Sequence, residues 1–288
     1  GCRANYRTHQ SLLIEMNNIK HLFESWTDVE SLIREKYIML FLDYDGTLTP
    51  IVELPESARL SNSMRKLLNE LTGIESLSIA IVSGRSLEQL KIFVGISGLL
   101  YVGNHGFEIE GPDLRHTHPG AVEAGGIITA VAEMLENSFR FIQGVFVENK
   151  VFTLSVHYRQ VSEDKVDRVR MIFLKVIDPF LDQAQIVFTE GKKVLEVRPA
   201  LGWNKGTAVA WLYGRNLASN PSRSILPIYI GDDRTDEAAL KAMKDCGVGV
   251  KVAEDASESH ADYYLRNANE LYDFLKRLKS LKDVKKSQ

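Results

Sequence analysis

The 288 residues are 44% hydrophobic and 25% charged, as in a soluble globular protein with core enough for one large domain or two moderate ones. A net charge of −3 and a pI near 6.2 supply no footprint for nucleic acid, and no apolar stretch reaches the roughly 18–20 residues a membrane helix needs. Cys2 and Cys246 stand at opposite ends and make neither a disulfide framework nor a zinc pattern, so a reducing, cytoplasmic compartment is expected. The first apolar cluster, Leu12 to Ile14, is too short for a signal-peptide core. The start at Gly1 rather than Met fits an expressed piece of something longer.

Residues 8–36 read as helical. Leu12, Leu13, Met16, Ile19, Leu22 and Phe23 recur at three- and four-residue spacing, and a second turn-and-helix follows at 27–36. From Tyr37 the pattern changes: "YIMLFL" is a continuous apolar run, as in a strand covered on both faces. "NSMRKLLNELT" is a helix with Ser61 as its N-cap, and "LSIAIVSGR" a strand ending at Ser83-Gly84-Arg85. "SLEQLKIFV" is a helix and "GLLYVGNHG" a short strand. Alternation at this spacing predicts parallel βαβ units and a doubly wound α/β sheet.

The rhythm breaks after Gly106. "FEIEGPDLRHTHPGA" reads as a strand, a turn and an irregular connection. "VFTLSVHYR" is a strand, and "EDKVDRVRMIFLKVIDPFL" an amphipathic helix stopped at Asp178-Pro179. "AQIVFTEGKKVLEVRP" gives two strands joined around Glu190-Gly191. Strand pairs and helices here predict an inserted smaller α/β domain. The expected division is an N-terminal helical segment (1–36), a core (37–110 and 198–288) and the insert (111–197). The parallel pattern resumes with helix "NKGTAVAWLYGR", strand "LPIYIGDD", helix "DEAALKAM" and strand "GVGVKV". The lysine-rich tail is the solvated, cation-friendly end of a last helix.

Ligands of open parallel sheets bind outside the carboxyl ends of the strands. Collected there are Asp43-Tyr44-Asp45-Gly46-Thr47, Ser83-Gly84-Arg85 and Gly231-Asp232-Asp233, with Lys205 at a helix start that aims its amides at an anion. Carboxylates gathered at one rim call for a hard cation, and Mg²⁺ takes oxygen ligands from one or two carboxylates plus substrate phosphate. Lysine and hydroxyls beside it suit phosphoryl transfer. A calcium loop fails: counted from Asp43, glycine falls fourth rather than sixth, and Leu54 is twelfth. GxxxxGK[ST] and GxSxG are both absent.

"DYDGT", "SGR", "NKG" and "GDDRTD", in that order, resemble the four motifs of the haloacid-dehalogenase-like phosphatases. The closer resemblance is to the trehalose-6-phosphate phosphatases, through "LFLDYDGTLTPI", "IAIVSGRS", "YVGNHGFEI", "VFTLSVHYR", "GKKVLEVRP", "WNKGTAV" and "YIGDDRTDEAAL", over about residues 37–250. It implies a Rossmann-like core with a C2-type α/β cap, and a Mg²⁺-dependent phosphatase releasing trehalose from trehalose 6-phosphate. Asp43 would be the nucleophile and Asp45 the acid and base. Asp43, the Asp45 backbone carbonyl and Asp232 would hold Mg²⁺. Ser83 and Lys205 would bind the phosphoryl oxygens, with Thr47 in support and Asp233 and Asp236 behind. The sugar would meet Lys192 and Glu196 of the cap, Arg115 of the connection, and Gly84, Arg85, Asn104 and His105 of the core. Phosphatases for sucrose phosphate or mannosyl-3-phosphoglycerate, phosphomannomutases, and a non-catalytic sugar-phosphate sensor are the rival readings. The partner is a small phosphosugar, not nucleic acid or membrane, with a synthase partner or upstream domain possible before residues 1–36.

Other residues carry plainer expectations. His116, His118 and His157 read as structural, and Trp203 and Trp211 as core packing. Arg198 reads as a salt-bridging residue of the cap hinge. Glu148, Lys150 and Arg159 fit a solvated face as readily as a substrate contact.

Overall fold

The run Tyr37–Leu42 lacks alternation because it forms the centre of a sheet covered on both faces. The computed structural model describes residues 19–52, 57–255 and 258–283. In chain order, the elements begin with β1 (Lys20–His21), α1 (Trp26–Arg34), β2 (Tyr37–Asp43), α2 (Asn62–Leu71) and β3 (Leu77–Val82). Next come α3 (Leu87–Val94), β4 (Leu100–Gly103), β5 (Glu108–Gly111) and β6 (Leu114–Thr117). An insert supplies α4 (Pro119–Phe139), β7 (Phe146–Asn149), β8 (Leu154–His157), α5 (Glu163–Asp182), β9 (Ile186–Gly191) and β10 (Val194–Pro199). The chain closes with α6 (Lys205–Ser219), β11 (Ile225–Gly231), α7 (Glu237–Met243), β12 (Val248–Val252), β13 (Tyr263–Leu265) and α8 (Ala268–Asp283).

Among the described residues the large sheet has the order β1-β13-β12-β11-β2-β3-β4-β5-β6, parallel from β1 to β4 and antiparallel beyond. Successive β2 side chains serve opposite layers. Ile38, Leu40 and Leu42 pack toward α1, α2, α3 and α8, whereas Met39 and Phe41 pack toward α6 and α7. Each fully buried side chain of this kind stabilises the fold by roughly 1.5–3 kcal/mol. Leu40 sits between Ile79 and Ile228, and that register brings the ends of β2, β3 and β11 to one rim. The insert is a four-stranded antiparallel sheet, β7-β8-β10-β9. α4 and α5 cover one of its faces, where Val147, Val156, Leu195 and Val197 meet Val131, Leu135 and Phe173. Its other face, carrying Glu148, Ser155 and Glu196, turns toward the rim of the large sheet. No described helix is long and apolar enough to cross a membrane.

Several local readings hold. Ser61 caps α2 by accepting the Met64 amide at 3.1 Å, and α1 lies where the second helix of 27–36 was expected. Others change. The periodic positions up to 18 lie outside the described residues, and Lys20–His21 are an edge strand beside β13 rather than helix. The expected irregular connection after Gly111 is a hairpin, because β6 pairs with β5 and extends the large sheet to Thr117. α4 escapes the periodicity reading: Gly125-Gly126 and its β-branched residues depress helix propensity, and packing on the insert's core supplies the stability instead. α5 runs through Pro179 to Asp182. Pro179 removes one donor near the end, and the apolar packing of Phe180 and Leu181 holds the last turn.

Candidate active site

The loop after β2 returns toward the sheet rim at once. Gly46 has φ +93°, and a Cβ there would lie 2.3 Å from Asp232 Oδ2, so glycine lets the loop backbone touch that carboxylate. Thr47, fully buried, donates to Asp232 Oδ1 at 3.3 Å. Lys205 opens α6 immediately after a capping box: the Asn204 side chain accepts the Gly206 and Thr207 amides, and Thr207 Oγ1 accepts the Asn204 amide. Its buried ammonium donates to Asp43 Oδ1 at 2.7 Å and Asp236 Oδ1 at 2.8 Å. Asp236 accepts on both oxygens, from Lys205 and the Tyr229 hydroxyl on one and from the Asp232 and Asp233 amides on the other. Arg85 forks onto both oxygens of Asp45 at 2.7 and 2.5 Å, its guanidinium lying over Phe93.

Crowding marks the electrostatics. Burial and the Asp236 charge raise the Asp43 carboxyl well above its usual range, beyond what Lys205 offsets. Burial, with Asp236 and Asp233, lifts Asp232 to about 7. Burial draws the Lys205 ammonium down, but Asp236 and Asp43 outweigh it and keep the lysine charged. Oxygens of Asp43, Asp232 and Asp236 lie within 4.8 Å of one another, and Asp43 Oδ2 is buried without a hydrogen-bond partner. An all-oxygen set with excess negative charge and an open lone pair fits a hard divalent cation. Asp236 has both oxygens engaged, which leaves Asp43 and Asp232 as the carboxylates able to bind one.

The insert roofs this rim and closes a cleft of about 980 Å³. Lys150 donates to the Gly84 carbonyl at 2.8 Å and to Glu196 Oε1 at 3.4 Å, and Ser155 reaches the same oxygen at 3.3 Å. His105, held at φ 56°, places Nε2 3.1 Å from Glu196 Oε2. Burial opposes the Glu196 charge, yet His105 and Lys150 hold its carboxyl well below the usual range. Gln89 of α3 donates to Glu148 at 2.7 Å, and Glu148 pairs with His157 at 3.0 Å. Lys192 stands exposed at the β9–β10 turn, near enough to Asp232 to ease its ionisation.

The trehalose-phosphatase family model matches residues 41–269, which spans both the rim and the roof. The chain belongs to the trehalose-phosphatase family. It is 36% identical over 262 residues to trehalose-phosphate phosphatase B of Arabidopsis thaliana, covering 87% of this chain and 68% of that protein. Probable trehalose-phosphate phosphatase D of the same plant is 38% identical over 260 residues, covering 86% and 69%. Among solved structures, a trehalose-6-phosphate phosphatase related protein superposes with a TM-score of 0.73 at 26% identity, covering 86% of this chain and all of that one. The C-terminal domain of C. albicans trehalose-6-phosphate phosphatase shares the fold, with a TM-score of 0.76 at 21% identity over 93% and 99% of the two chains.

Within this family fold, the residues singled out from sequence separate clearly. Asp43, Asp45, Ser83, Gly84, Arg85, His105, Lys192, Glu196, Lys205 and Asp232 all line the cleft. Thr47 stands behind Asp232, outside the cleft lining. Asn104 does not reach the cleft. It is fully buried and tied to Glu108, the Lys150 carbonyl and Thr153, so it staples core to roof. Arg115 lies on β6 at the far edge of the large sheet, its side chain 86% exposed beside Glu110. Among the described residues no carboxylate lies in ion-pair range of Arg198, which lines the cleft with its Nε buried and without a hydrogen-bond partner. Glu148, Lys150 and His157 are cleft residues, and β8 carried the signal: Ser155 and His157 alternate with Leu154 and Val156. Tyr229, which steadies Asp236, left no signal within an apolar strand.

Proposed function

We infer that this protein is a phosphoric monoester hydrolase that converts trehalose 6-phosphate to trehalose and phosphate. The observation that carries the reading is Asp43 Oδ2: a buried carboxylate oxygen without a partner, in a cleft the family match spans, with Lys205 fixed on its sister oxygen. Asp43 attacks phosphorus and the bond to the sugar oxygen breaks, leaving an aspartyl-phosphate. In its protonated form Asp45 gives the departing sugar oxygen a proton and becomes the carboxylate that Arg85 forks onto, which then takes a proton from the water that cleaves the aspartyl-phosphate. Two displacements replace one very slow hydrolysis. Lys205 and Ser83 offset charge on the phosphoryl oxygens. Asp236 holds Lys205 and two loop amides in place without touching substrate.

Asp43, Asp232 and the Asp45 backbone carbonyl would hold Mg²⁺, which when bound neutralises charge on the phosphoryl oxygens. Lys192, Glu196 and His105 offer the charged and polar groups that sugar hydroxyls pair with, and a site built that way rejects sugars lacking a partner. Phosphate release from a panel of trehalose, sucrose and glucose phosphates, with EDTA and after Mg²⁺ is restored, tests substrate and metal together. Trehalose 6-phosphate should be turned over fastest, and EDTA should silence it reversibly. Tight binding of trehalose 6-phosphate without phosphate release would overturn the reading.

A further inference from the structure

Most residues that line the cleft are charged or polar, and Phe146 is the one phenyl ring among the described ones: it lines the cleft from β7 with 60% of its surface exposed. A large aromatic left open inside a cleft is the kind of exposure that marks a binding surface. The strand register sets it opposite His157 of β8, and the rings stack with centroids 5.9 Å and planes 24° apart. His157 is itself held by Glu148, and Glu148 by Gln89 of α3. Burial opposes the Glu148 charge, but His157, Lys150 and Gln89 draw its carboxyl down to about 2. A line of contacts therefore runs from a core helix to an aromatic face, which fixes the backing of the ring before any ligand arrives.

Across the cap sheet, Phe146, His157 and Val194 form one row, and Glu148, Ser155 and Glu196 the next. Two residues along a strand separate the rows by about 7 Å. One row is aromatic and apolar; the other is acidic and hydroxylic. A pyranose ring has the same two characters, an apolar face of C–H groups and a rim of hydroxyls. The order β7-β8-β10-β9 places Phe146 on the opposite edge from the turn whose Lys192 lies in electrostatic reach of Asp232. β7 stands two strands, about 10 Å, from β10. Asp43 on the rim and Phe146 on the edge strand of the cap line the same cleft, so a phosphate held at Asp43 leaves the second ring of a disaccharide as the one to reach Phe146.

We propose that Phe146, backed by His157, is the platform on which the unphosphorylated ring of a disaccharide monophosphate stacks, and that it selects disaccharide over monosaccharide phosphates. The proposal rests on the phosphosugar reading above. It is tested with Phe146→Ala and Phe146→Trp against trehalose 6-phosphate, glucose 6-phosphate and p-nitrophenyl phosphate. Phe146→Ala should raise KM for trehalose 6-phosphate by about tenfold with kcat nearly unchanged, while the other two substrates keep their constants. Phe146→Trp should restore the wild-type KM. An unchanged KM for trehalose 6-phosphate, or an equal loss on all three substrates, overturns the platform alone. Wild-type protein that cleaves p-nitrophenyl phosphate but not trehalose 6-phosphate overturns the functional reading, and the platform with it.

Discussion

The rim of the large sheet and the face of the cap sheet are built on opposite terms. At the rim, protein groups answer one another: Lys205 bridges Asp43 and Asp236, Asp236 accepts four hydrogen bonds, and Arg85 forks onto Asp45. Among the described residues, Asp43 Oδ2 is the rim carboxylate oxygen left buried without a hydrogen bond, and the ring nitrogens of His105 beside the roof are likewise without one. On the cap face, polar atoms wait. Arg198 Nε and Thr189 Oγ1 are buried without partners, and Lys192 and Phe146 stand exposed. Charge stabilisation is worth most when its groups are fixed beforehand, whereas recognition gains from groups that only the correct ligand satisfies. The chemistry is assembled in advance, and the specificity is completed by substrate.

The sharpest break of that contrast is Asp43→Asn, which should lower phosphate release by at least about 10⁴-fold while thermal unfolding stays within a few degrees of wild type. Near-normal turnover would remove Asp43 from the chemistry. Asp236→Ala tests whether the rim is preassembled: losing the buried partner of Lys205 should cost about 3 kcal/mol of stability and about 100-fold in kcat. On the cap side, Arg198→Met should raise KM for trehalose 6-phosphate about tenfold and leave p-nitrophenyl phosphate hydrolysis alone. A lower unfolding temperature with unchanged KM would make Arg198 structural instead.

Glu148→Gln gives a smaller effect that depends on pH. The Glu148 carboxyl is drawn from 4.5 to about 2, so its stabilisation is complete above the higher value and disappears as pH falls through the lower. The difference in unfolding temperature between wild type and Glu148→Gln should be about 3 °C at pH 6 and close as pH approaches 2. A gap of constant size would sever Glu148 from acid stability. Arg115→Ala should leave kcat and KM within twofold, since β6 holds it away from the cleft.

What sequence could reveal followed physical scale. The rim was legible because apolar runs end abruptly in Asp43, Ser83 and Asp232, and strand ends in parallel sheets share one edge. The cap face was harder to read. Ser155 and His157 share a side, but which side faces the cleft depends on pairing with β10, far along the chain, and on the helices α4 and α5 that cover the other face. Asn104 is a polar residue beside the cleft that nonetheless points into protein, a distinction that only its bonds to Glu108, Lys150 and Thr153 reveal. α4 and the end of α5 went unread because apolar packing overrode Gly125-Gly126 and Pro179.

The capping box at Asn204 has a mechanical consequence. The chain leaves the cap at Pro199 and reaches Lys205 within six residues, so a tug from the roof would travel directly to the ammonium. Asn204, one residue before Lys205, and Thr207, two after, are clamped together around it, and Gly206 lies so close to α7 that a Cβ would sit 2.3 Å from the Ala238 carbonyl. The bonds and that close approach seat the start of α6 on its own cap and on α7, so the Lys205 ammonium takes its position from the large-sheet side and not from the strand that descends from the cap.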